Sequence, residues 1–174
     1  MFSLTYSSAY DPYHAVFRLL TLTKTVPLGT EHDFEALRIV DFYHCFPWLL
    51  ADFSAFTKIA GFQKAKNSVV RAYPKSRFDV LPDRHMVFQR MLPSQLAARA
   101  AMLETGSLEH LEEKLRFKET TVESDTLRRA LDLYFAENKE LLSFLGKYLL
   151  HVPLYGSGGL KDRSGLGEFR YDVV

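Results

Sequence analysis

The 174-residue sequence has one cysteine, one tryptophan and nine glycines. With Cys45 alone no internal disulfide can form, which excludes a small secreted scaffold held by bridges. Cys45 lies in the aromatic stretch DFYHCFPW, a setting in which a free cysteine acts as a small buried hydrophobe. No run approaches the eighteen or more apolar residues of a membrane span. The opening MFSLTYSSAYDPYH lacks the basic start and apolar segment of a signal peptide. The expectation is a cytoplasmic protein without membrane contact. An excess of one charge is also missing: 22 basic and 21 acidic residues leave a net +1, so overall balance selects no polyanionic partner.

Catalytic and cofactor signatures are equally scarce. The glycine-rich GSGGLKDRSG near the end resembles a phosphate loop only superficially. Asp162 follows Lys161 where a hydroxyl is needed, and a carboxylate there repels phosphate. There is no GxSxG and no HExxH. Asp41 with His44, and His110 with Glu113, are three apart and could each supply two metal ligands, but neither pair comes with further ligands at metal-site spacing. Cys45 next to His44 does not form a nucleophilic pair, since adjacent helical side chains diverge. No catalytic residue, metal site or cofactor is assigned, and the expectation is a protein that is not an enzyme.

What the chain does have is apolar and aromatic mass: 47% hydrophobic residues, with 14 Phe and nine Tyr. That suffices for one domain over residues 1–174. Asp11-Pro12 is a helix start, with a side-chain acceptor for orphan N–H groups followed by proline at the first position. Tyr13, Val16, Phe17 and Leu20 then share a face. Thr30 and Asp33 read as a capping box for a second helix carrying Phe34, Leu37, Val40 and Tyr43 and ending near Pro47. Phe2, Leu4 and Tyr6 alternate like a short strand. Residues 69–81 read as a hairpin about Pro74-Lys75-Ser76. Two short helices, 82–91 and 93–106, suggest a helix-turn-helix shape, and the LEHLEEKL run after them looks helical. Leu127, Leu131, Tyr134, Asn138, Leu141, Leu145, Tyr148 and Val152 keep a heptad seam, predicting one long helix over 125–151 that lies on its own domain or is shared with a second copy. The fold class is mainly α with a small β element.

Charge is unevenly placed. Residues 58–103 hold nine basic and two acidic residues, a local +7 between acidic flanks. Lys58, Lys64, Lys66, Arg71, Lys75, Arg77 and Arg84, interleaved with Phe62, Tyr73 and Phe78, are candidate contacts for nonspecific DNA binding. Within 94–105 only Gln95, Arg99 and Glu104 are long polar side chains, too few for base reading.

The last nineteen residues, 156–174, form a docking tail. Five of the nine glycines are here, yet Leu166, Phe169, Arg170, Tyr171 and Asp172 are the kind of side chain that anchors interfaces. Either this protein's own surface or a partner's is the dock, and FRYDVV alternates as a strand that could pair with Phe2, Leu4 and Tyr6.

Four stretches, YSSAYDPYHAVFRLL, FEALRIVDFYHCFPWLL, MVFQRMLPSQLAARAAMLETG and SGLGEFRYDVV, resemble the middle components of bacterial ABC-three-component conflict systems. The resemblance implies a non-enzymatic adaptor in an antiviral complex. Its partners would be an ABC-type ATPase of the structural-maintenance or repair type and an effector, often a nuclease. It also implies a winged-helix-like module, although no wing is evident in the sequence. Tyr13, Phe17 and Arg18, with the tail residues, are the candidate partner contacts. The alternative function is a DNA-binding winged-helix-like regulatory module.

Overall fold

A computed structural model describes residues 7–77, 80–81, 83–119 and 122–167. After a 3-10 turn at Ser8–Tyr10, α1 runs Pro12–Leu22, β1 Glu31–His32, α2 Phe34–Cys45, and a 3-10 stretch Pro47–Asp52. Then come α3 Phe62–Ala72, α4 Arg84–Glu104, β2 Leu108–Leu111, β3 Lys114–Phe117, α5 Asp125–Glu137, α6 Lys139–Lys147 and α7 Leu160–Ser164. This is the expected mainly helical fold with a small antiparallel sheet, ordered β1-β3-β2.

α1 starts as its sequence dictates, with Asp11 Oδ1 accepting from His14 N at 3.0 Å. α2 is enclosed on nearly every side, and nine of its twelve residues are buried, from Ala36 to His44. It is therefore the central helix. The capping box at its start does not form: Asp33 is the N-cap without a side-chain cap bond, and its Oδ2 accepts from Lys114 Nζ at 2.8 Å instead.

Three expectations about elements are corrected. Residues 62–72 are helix, so no hairpin forms at Val69 and Val70; Phe78 lies outside the described residues. The two short helices are one, α4, capped by Asp83 Oδ1 on Met86 N at 2.9 Å and continuous through Pro93. Pro93 is exposed, so the Gln89 carbonyl it leaves without a donor faces water, while Phe88, Met91, Gln95 and Ala98 hold both halves to one core. The Leu-Glu-Lys run after α4 is the hairpin β2–β3 rather than helix. Leu108, Leu115 and Phe117 point into the core, Glu109 faces Arg116 across the strands at 2.7 Å, and Glu112 takes a positive φ of 55° in the turn. A hairpin thus follows α4: the order is helix, strand, three helices and hairpin, with β1 paired to β3.

The long seam helix is likewise two. Asn138 leaves helical geometry at φ −115°, ψ 24°, donates from Nδ2 to the Tyr134 carbonyl at 3.0 Å and accepts from Tyr73 Oη at 2.8 Å. Leu131, Leu141, Leu145 and Val152 of the seam are buried in this chain's own core, leaving no continuous seam for a second copy.

Candidate partner-docking groove

Three helices are joined beneath the surface by a buried polar chain. Arg18 of α1 places Nε 2.6 Å from Asp41 Oδ1 and Nη2 3.1 Å from Oδ2. Its Nη1 donates to the Ser8 carbonyl at 2.9 Å. Gln95 of α4 donates to Asp41 Oδ2 at 2.9 Å and accepts from Arg38 Nε at 2.9 Å. Arg38 also donates to Glu35 at 2.7 Å and lies 4.2 Å over the Phe88 ring. Burial alone would lower the Arg18 pKa, but the charge and hydrogen bonds of Asp41 outweigh it and hold the guanidinium above its ordinary value. A pair this well bonded is costly to break from one side.

Over this chain lies an apolar groove of about 830 Å³ between α1, α2, α4 and α5. Val16, Phe17 and Leu20 form one wall, Leu127 and Tyr134 the opposite one, with Cys45 and Ala101 also in its lining. Phe17 meets Tyr134 edge-on at 5.3 Å. Tyr134 Oη is 2.9 Å from His44 Nε2. Burial holds the His44 imidazole neutral, lowering its pKa to about 4, with Arg18 adding to that shift and Asp41 opposing it. Burial pushes the Tyr134 phenol up to about 12 and the Cys45 thiol upward as well, so these groups stay uncharged near neutral pH. Tyr13 stands at the groove, 84% exposed.

The structure brings the α1 candidates together but divides their roles. Tyr13 and Phe17 present aromatic surface, whereas Arg18 is spent on Asp41 and shapes the wall. Leu127, Tyr134 and His44 were not assigned to this surface from sequence. The first two are legible only as seam positions, and His44 only as a ligand candidate. Among the described residues no group of three or more His, Cys, Asp or Glu is placed to share a metal ion.

The tail is docked internally as far as it is described. Leu160 and Leu166 are fully buried, so Leu166 is a core residue rather than a partner contact. Arg163 donates to Ser54 Oγ at 2.8 Å and lies over Phe56 at 5.0 Å. Gly159 is required by close approach, since a Cβ there would meet the Tyr155 and Pro153 carbonyl oxygens at 2.6 and 2.9 Å. Gly158 N, which a phosphate loop would aim at its ligand, donates to Asp162 Oδ2 at 2.7 Å. Phe169, Arg170, Tyr171 and Asp172, and the strand pairing with Phe2, Leu4 and Tyr6, lie outside the described residues.

The basic candidates separate too. Lys58, Lys64, Arg71, Lys75 and Arg77 are exposed. Arg84 pairs with Asp52 at 2.7 Å. Lys66 is buried and donates to the Phe53 carbonyl at 2.6 Å, which removes it from any nucleic-acid surface. On α4, Gln95 is buried and Arg99 lies 4.5 Å over Phe34, which leaves only Glu104 of the three long polar side chains exposed and unengaged by these contacts.

Topology and groove together define a mainly helical domain with a small antiparallel sheet and an apolar surface cleft. The chain belongs to the family of the ABC-three component (ABC-3C) system Middle Component 5, whose profile matches residues 4–172. No curated protein and no solved structure matches it.

Proposed function

We propose that this middle component is a non-enzymatic adaptor that joins an ABC-type ATPase to an effector in an antiviral complex, and that the α1–α5 groove is where a partner component docks. The observation that carries this reading is the groove itself: apolar walls, an Arg18 charge already paired with Asp41, and an 84% exposed tyrosine beside it. A well-packed aromatic anchor is the usual centre of a protein interface. Membership of a multi-component family supplies the reason to expect a protein in it. Base-specific DNA reading by α4 is the weaker alternative, because Gln95 and Arg99 are engaged within the fold.

The test is co-expression with the neighbouring components, using wild type and Tyr13→Asp. Wild type is expected to co-purify with the ATPase component, and Tyr13→Asp to lose it with an unchanged melting temperature. A lone monomer that captures neither partner contradicts the reading.

A further inference from the structure

Between Phe53 and Phe78 the sequence holds six lysines and arginines and no carboxylate. The fold turns part of that run into a surface. On α3, Phe62, Lys66 and Val69 face the core, so Lys64, Asn67 and Arg71 share the opposite, exposed side. Lys64 and Arg71 are two turns apart, about 10.5 Å along the axis. Lys58 precedes the helix and Lys75 follows it, both exposed. The elements packed on α3 are the 47–52 stretch and α6. The carboxylates they bring are Asp52, tied to Arg84, and Glu140, which accepts from Ser68 Oγ at 2.8 Å. Among the described residues Lys58, Lys64, Arg71 and Lys75 have no acidic partner. A merely solvated helix face intersperses both signs; this one does not.

We propose that this α3 face contacts the phosphate backbone of double-stranded nucleic acid without reading its bases. Charge complementarity selects a polyanion. Phe62 is buried and Tyr73 donates to Asn138, so neither offers a platform for stacking unpaired bases. The face also lacks an exposed apolar anchor of the kind that a protein interface uses. None of its four cations lines the α1–α5 groove, so the contact is independent of partner docking.

The test titrates the full-length protein against two 20-bp duplexes of unrelated sequence by fluorescence anisotropy between 50 and 200 mM salt. Equal affinity for both is expected, with log K falling against log salt at a slope of about −3.6 for four phosphates. Lys64→Glu with Arg71→Glu should halve that slope and weaken binding at least tenfold, with an unchanged melting temperature and retained co-purification. Lys66→Met, on the buried side, should leave the slope as it is. No binding at 50 mM salt, no effect of the double variant, or tighter capture of polyglutamate of equal charge than of duplex would each overturn the proposal. Since co-purification is read separately, failure here leaves the groove reading standing.

Discussion

His32 and His44 are buried at 7% and 6% exposure, and burial lowers both pKa values from 6.5 to about 4. In the unfolded chain both rings take up protons as pH falls through about 6.5, while in the fold they stay neutral until about 4. Stability is therefore full above pH 6.5 and declines between 6.5 and 4, by roughly 3 kcal/mol for each ring over the whole window. Urea unfolding at pH 7 and pH 4.5 reads this directly, and His44→Gln should remove part of the difference; a flat profile would contradict the neutral assignment. Arg18 acts through its partner. Arg18→Ala would leave Asp41 buried with Gln95 as its remaining donor, an expected loss of about 3–5 kcal/mol in urea unfolding. A cost below 1 kcal/mol would mean that the pair is not structural. Neither role was legible in the sequence, because Arg18 and Asp41 are 23 positions apart and only the crossing of α1 and α2 makes them neighbours.

Helix starts were the most legible elements, since they depend on local chemistry. Asp11 caps as its sequence implies, and Ser124 caps α5, its Oγ accepting from Leu127 N at 3.3 Å. Element continuity was the least legible. Pro93 is compatible with a first helical position and equally with the solvent side of a continuous helix, and only packing by both halves of α4 decides between them. The seam from Leu127 to Val152 marked positions that are buried or half-buried, yet Asn138 serves as a break satisfied by Tyr73. The Leu-Glu-Lys stretch favours helix locally, and pairing with β1 overrides it. At the tail, hydrophobic anchors suggested docking without saying where. Leu166→Ala tests the internal dock: with a fully buried side chain, it should cost about 2–5 kcal/mol, read as a lowered urea midpoint. A change confined to partner affinity would return Leu166 to the interface.

At the scale of the molecule, α4 is held by its packing and its polar contacts into the core. α4 turns Gln95 into the network that joins α1, α2 and itself, and Arg18 of that network lines the groove. Tyr13 and Phe17 were legible as candidates because an aromatic face on a well-capped helix is visible in sequence. The opposing wall was not, since α5 reaches α1 only after the chain has passed through the sheet. The most direct measurement is amide hydrogen exchange on the protein alone and in complex with the ATPase component proposed as its partner. The account predicts added protection concentrated in residues 12–22 and 125–137, the two helices that face each other across the groove. Protection confined elsewhere, with α1 and α5 exchanging as in the free protein, would contradict it.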